Sequence, residues 1–278
     1  MVIWTQGLYD LKEDYDWMEF FAGNAACTTY TRLQGHRGVK FDLKYNQHVP
    51  PGSINYMDIN SPSGFVLAIV FILKGRVDQF VAWFGIKCSS WTQINTGTSA
   101  RSPCASIGDT MRKSVAEANK MLERICLLVI LVVCRGGCWI LEQPNGSMLE
   151  FYPCFRWAIG QMIEIDGVKS VSRISWWMSK FGAATAKPQY AYSNSPSIRK
   201  VHRYESQPSK VKKDMKAKVQ TCRKYTNKQG KECYVGTSEL KDTEIYPDMF
   251  GYTISELVDD LRGKVYGCPR ITKEISGY

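Results

Sequence analysis

Residues 17–33 read WMEFFAGNAACTTYTRL, and the fold is decided there. Residues 17–22 form an apolar run interrupted by Glu19, and the run ends at Gly23-Asn24, as a strand does when it enters a turn. Residues 25–33 then read as a helix closed by Gly35. A glycine at a strand-to-helix bend lets backbone approach a ligand closely, and the start of the helix presents N–H groups that have no intrahelical partner.

Working outward, residues 39–43 make a second short strand with Asp42 near its end, 19 positions after Gly23. Residues 54–59 read as a third, with Asp58 near its end. A helix is expected over 63–74, with Ser61 or Ser63 as its N-cap. Residues 79–84 are an apolar strand leading into Gly85-Ile86-Lys87-Cys88. Residues 89–107, rich in Ser, Thr, Gly and Asn, read as a loop long enough to be functional or disordered. A long helix over 109–134 stops at Gly136-Gly137, and residues 138–141 form a buried strand followed by Glu142-Gln143-Pro144. Residues 173–178 and 189–192 suit a final antiparallel pair. Alternating strands and helices predict an α/β, Rossmann-like fold: a mainly parallel sheet with helices on both faces and an antiparallel last strand. Such sheets bind ligands at the carboxyl ends of their strands. Asp42 is placed to hold ribose hydroxyls, and Asp58 to accept a hydrogen bond from an adenine amino group.

The net charge of +10 is concentrated. Residues 199–232 hold 12 Lys/Arg against 3 Asp/Glu, while the rest of the chain carries 24 against 23. The expected organisation is a core over 1–198, a basic linker or arm over 199–235, and a C-terminal helical segment over 236–278. Within that last segment, residues 255–261 form a short amphipathic helix. Lys210, Lys212, Lys213, Lys216, Lys218, Arg223 and Lys224 suit phosphate contacts, with Tyr204 and Tyr225 available to stack on bases. A solvated linker is the other reading of this segment.

The ten cysteines include no C-x-x-C pair and no closely spaced Cys/His group, which argues against a zinc site and against a disulfide framework. The first residues, MVIWTQGLYDLKED, lack a basic region followed by an apolar run, and the most apolar stretch, 125–133, is too short to span a bilayer. An intracellular protein, nuclear or cytoplasmic and not secreted, is expected, without membrane attachment.

Four segments in order carry a resemblance. FFAGNAACTTYTRLQGHRGVKFDLKY (20–45) resembles the first cofactor motif of DNA cytosine-5 methyltransferases, class I enzymes that use S-adenosylmethionine. YMDI (56–59) resembles the third motif of that family, and VDQFVAWFGIKCSSW (77–91) the fourth, where a strand leads to the nucleophilic cysteine. WILEQP (139–144) resembles the sixth, a strand ending in the catalytic glutamate. The resemblance implies a divergent S-adenosylmethionine-dependent methyltransferase acting on nucleic acid, with DNA favoured and cytosine C5 as the target. Phe21 would stack on the adenine, while Ala22, Gly23 and Asn24 would line the methionine and ribose. Asp42 would hold the ribose and Asp58 the adenine edge. Cys88 would attack C6 of the base, assisted at N3 by Glu142, and the base would have to leave its stack.

The chain departs from the family pattern at Ala25 and Ala26, where glycine is usual, at Lys87, where proline is, and at Gln143-Pro144, where Asn-Val is. An ammonium at Lys87 is expected to favour the Cys88 thiolate. Two other functional classes stay open: an inactive relative that binds nucleic acid, and a methyltransferase for a small molecule or a protein. The plainer reading of Cys88 is a structural thiol at a strand end, and that of Glu142 a solvated residue ending a strand.

Overall fold

The computed structural model describes residues 12–46, 50, 53–204, 221–227, 229–230, 232–237 and 239–266. Six strands form one sheet: β1 (Trp17–Phe20), β2 (Gly38–Phe41), β3 (Val81–Gly85), β4 (Cys138–Pro144), β5 (Ser172–Trp177) and β6 (Pro188–Ser193). Their spatial order is β2-β1-β3-β4-β6-β5. β1 pairs in parallel with β2 and β3, and β3 with β4, while β6 runs antiparallel between β4 and β5. The fold is α/β and Rossmann-like. The parallel pairs are the ones joined by helical crossovers. The short connection from β5 to β6 permits only antiparallel pairing.

The side chains of β1 alternate between the two faces. Met18 and Phe20 join a core under α2 (Pro62–Leu73), α3 (Lys113–Cys134) and α4 (Pro153–Asp166). Trp17 points the other way, into a second core shared with α1 (Ala26–Leu33) and two C-terminal helices, α5 (Asp248–Glu256) and α6 (Val258–Gly263). Phe250 of α5 is the centre of that second core. Its ring stacks on Trp176 at 5.6 Å and meets Trp83 edge-on at 5.9 Å. Phe250, Ile254, Leu257, Val258 and Leu261 recur at helical spacing and are all buried, so α5 and α6 cover this face of the sheet.

Several boundaries differ from the sequence reading. No strand forms over 54–59. Asn55 Oδ1 accepts the Met57 N–H at 2.8 Å, and Asp58 Oδ1 accepts the Asn60 N–H at 2.8 Å. These side chains offer the backbone local partners in place of a ladder. The segment therefore turns twice and enters α2 through Ser61, whose Oγ caps the Gly64 N–H at 2.9 Å. The long loop after β3 is ordered around Arg101, which is 1% exposed. Its guanidinium lies 3.5 Å from the centre of the Trp91 ring and donates to the Ser90 carbonyl at 3.0 Å and to Asn119 Oδ1 at 2.8 Å. Burial lowers the Arg101 pKa to about 10. α4 has no counterpart in the sequence reading. Within the basic segment, β7 (Cys222–Thr226) and β8 (Glu232–Gly236) form an antiparallel hairpin. Among the described residues, no helix is long and apolar enough to cross a membrane.

Candidate functional site

β1 passes to β2 on one side and the chain then returns to β3 on the other, so a crevice opens at the carboxyl ends of β1 and β3. A cavity of about 400 Å³ fills it. Phe21, Ala22, Gly23, Asn24, Asp42, Asp58, Cys88 and Glu142, the residues singled out from sequence, all line this one cavity. Arg223 sits on β7, exposed, and Lys224 beside it pairs with Glu232. Lys210, Lys212, Lys213, Lys216 and Lys218 lie outside the described residues.

The bend after β1 is tight. Phe21 and Ala25 both adopt left-handed backbone, with φ of 61° and 54°, and Gly23 lies between them at 53°. Such conformations cost a non-glycine residue about 1–2 kcal/mol and recur at ligand sites. The departure at Ala25 is thus accommodated as strain rather than by crowding, and Ala26 becomes the first residue of α1. Asp42 secures the bend: its Oδ2 accepts the Gly23 N–H at 2.9 Å and its Oδ1 the Lys44 N–H at 3.0 Å. The Tyr45 hydroxyl donates to the Gly23 carbonyl at 2.7 Å. Asp58 reaches the same cavity without a strand. A side chain at Gly64 would place its Cβ 1.9 Å from the Asp58 carbonyl oxygen, so glycine there lets the 58–61 turn close onto α2.

The opposite wall carries Cys88 and Glu142. Gln143 ties the two together: its amide donates to the Ile86 carbonyl at 2.6 Å, joining the end of β4 to the loop that bears Cys88. Burial pushes the Cys88 thiol up, Lys187 pulls it down, and Glu142 pushes it up again. The cation that acts on the thiol is Lys187, not Lys87, which is exposed to solvent. Burial also raises the pKa of Glu142, against the opposing effects of Lys187 and a hydrogen bond from Tyr246. Glu142 Oε2 accepts the Tyr246 hydroxyl at 2.6 Å, while Oε1 is buried with no partner among the described residues.

Lys187 and Tyr246 are not visible from sequence. Lys187 precedes β6 with φ of 24° and donates through Nζ to the Thr243 carbonyl. Tyr246 comes from the segment before α5, about a hundred residues after Glu142. Neither sits in a motif, and only the tertiary fold brings them to the cavity. Among the described residues no group of three or more His, Cys, Asp or Glu could hold a metal ion. No protein-family model, no curated protein and no solved structure matches the chain.

Proposed function

We propose that this protein is an S-adenosylmethionine-dependent methyltransferase whose acceptor is a nucleic-acid base, cytosine C5 in DNA being the first candidate. One observation carries the reading. A single cavity joins a strand-to-helix bend and two carboxylates at one end to a cysteine and a protonatable glutamate at the other.

The residues present suit the cofactor. The cavity lies within the range of small-molecule sites. No atom lies within 4 Å of where a Cβ on Gly23 would sit, leaving room for a ligand against the backbone. Phe21, Met57 and Ile59 give apolar walls for a purine, and Asp42 and Asp58 give acceptors for hydroxyl and amino groups. When bound, the cofactor supplies an electrophilic methyl group. Burial favours the protonated form of the Glu142 carboxyl, which donates its proton towards N3 of the base. The Cys88 sulfur, once deprotonated, forms a bond to C6, which makes C5 nucleophilic. After transfer, the C5 proton is lost to water, the S–C6 bond breaks to release the thiolate, which takes up a proton from solvent, and N3 returns its proton to Glu142. Lys187 favours the thiolate before the attack and again as the S–C6 bond breaks.

A second reading is favoured by one observation. Burial and Glu142 both hold Cys88 as a neutral thiol, which suits an acceptor that needs no thiolate, a small molecule or a protein side chain.

Calorimetry with S-adenosylmethionine and with its demethylated product tests the cofactor. Both are expected to bind, and Asp42→Ala should weaken both by at least about tenfold, roughly 1.4 kcal/mol. Absence of heat with either ligand in the intact protein rejects the reading. The nucleic-acid part has a separate test. Replacing Arg223 and Lys224 by glutamine should lower affinity for single-stranded DNA and flatten its dependence on log salt by roughly 0.7 for each phosphate that the variant no longer neutralises. An unchanged slope removes the hairpin from the interface.

A further inference from the structure

The Glu142 carboxyl has its two oxygens in opposite circumstances. Oε2 is held by Tyr246, and Oε1 is buried and faces no partner among the described residues. The tyrosine is in turn fixed on several sides. Trp83 Nε1–H donates to its hydroxyl oxygen at 3.3 Å, while the phenolic proton goes to Glu142 Oε2 at 2.6 Å. Its ring meets Trp83 edge-on at 6.1 Å and Phe250 at 5.2 Å.

The hydroxyl reaches this position because of a gap in β3. Gly85 pairs with Glu142 across the β3–β4 ladder, so the two residues share one face of the sheet. A Cβ on Gly85 would lie 2.7 Å from the Tyr246 hydroxyl oxygen. Any larger residue there would occupy the place the hydroxyl takes. Trp83, two positions back on the same face, provides the indole N–H. A bare position in one strand, a donor beside it and an acceptor opposite together make a seat for one hydroxyl group.

We infer that Tyr246 is the positioning residue of Glu142: seated over Gly85, it ties down Oε2 and leaves Oε1, buried and without a partner among the described residues, as the oxygen free to meet the base. With Oε2 accepting from the tyrosine, the carboxyl proton resides on Oε1. The orientation that donates to a ring nitrogen is therefore set before a substrate arrives. The inference rests on Glu142 serving as the acid of the proposed transfer, but the tether itself is testable without cofactor or substrate.

The test is a carboxyl ¹³C NMR titration of protein labelled at glutamate, with the Glu142 resonance assigned by its loss in Glu142→Gln. Tyr246→Phe keeps the ring and removes only the hydroxyl. It should move the Glu142 midpoint upward by about one pH unit, because a donor to the charged form is lost. Gly85→Ala should move it in the same direction by displacing that hydroxyl. In the methyl-transfer assay, Tyr246→Phe should lower kcat and shift the pH profile while leaving affinity for S-adenosylmethionine unchanged. A Glu142 midpoint that stays put in folded Tyr246→Phe, or in folded Gly85→Ala, overturns the tether. A midpoint that moves as expected in a protein that binds no S-adenosylmethionine keeps the tether and rejects the methyltransferase reading instead.

Discussion

Cys88→Ala is expected to abolish covalent capture of DNA that contains 5-fluorocytosine, and to lower methyl transfer by about 10⁴-fold or more. Fluorine at C5 cannot leave as a proton does, so the S–C6 bond persists and the protein migrates with the DNA. The intact protein should form this adduct in the presence of S-adenosylmethionine and not without it. The thiol environment adds a second expectation. Burial holds the thiol protonated while Lys187 opposes it, so the rate should rise with pH as thiolate accumulates. Removing the opposing charge in Lys187→Met should move that rise to higher pH. Adduct formation that survives in Cys88→Ala assigns the attack to another nucleophile. Its absence in the intact protein, with S-adenosylmethionine bound, leaves the acceptor as something other than cytosine.

Glu19→Gln is expected to stabilise the protein by up to about 3 kcal/mol at pH 8 and to change little at pH 5. Glu19 is 1% exposed in the middle of the sheet. Its Oε2 accepts the Thr28 N–H at 2.7 Å and also the Thr28 hydroxyl, while Oε1 finds no partner among the described residues. Burial raises its pKa from 4.5 to about 7. The Thr28 bonds oppose the rise, and nearby Asp42 adds to it. The folded value lies above the unfolded one, so the folded state binds more protons between the two. The stabilising contribution is complete below pH 4.5 and is lost as pH climbs through about 7. Glutamine keeps the acceptor for Thr28 and never ionises. Melting temperatures of both proteins at pH 5 and pH 8 check this. The variant should gain several degrees only at the higher pH, and an equal difference at both would mean that Glu19 titrates as an ordinary carboxylate.

The course of β1, the bend and β2 is legible in the sequence because each depends on near neighbours: an apolar run, a glycine, and an acid at the next strand end. Residues 54–59 look apolar enough for a strand and form none. Asn55 and Asp58 hydrogen-bond their own backbone there, an outcome that composition does not separate from a ladder. α4 leaves a usable signal: Pro153 at its first position and Gly167 just beyond its last. Arg101 gives no warning, since an arginine in a polar loop is usually solvated, and only the packed Trp91 and the surrounding carbonyls make its burial tolerable. The wall of the cavity opposite the bend is half legible. Cys88 and Glu142 follow strands, where ligands gather, whereas Lys187 and Tyr246 act from elements whose closeness is a property of the whole chain.

The lateness of Tyr246 in the chain matters for biosynthesis. A nascent polypeptide emerges from the ribosome amino end first and can begin pairing β1, β3 and β4 before residues 239–263 have left the exit tunnel. Until Phe250 arrives, Trp83 and Trp176 lack the ring that packs on both of them, and the glutamate that β4 delivers is without its tyrosine partner. Such an intermediate would offer a sticky indole surface and no organised acid. Chaperone dependence during translation and the onset of competence should therefore both follow the release of α5 and α6.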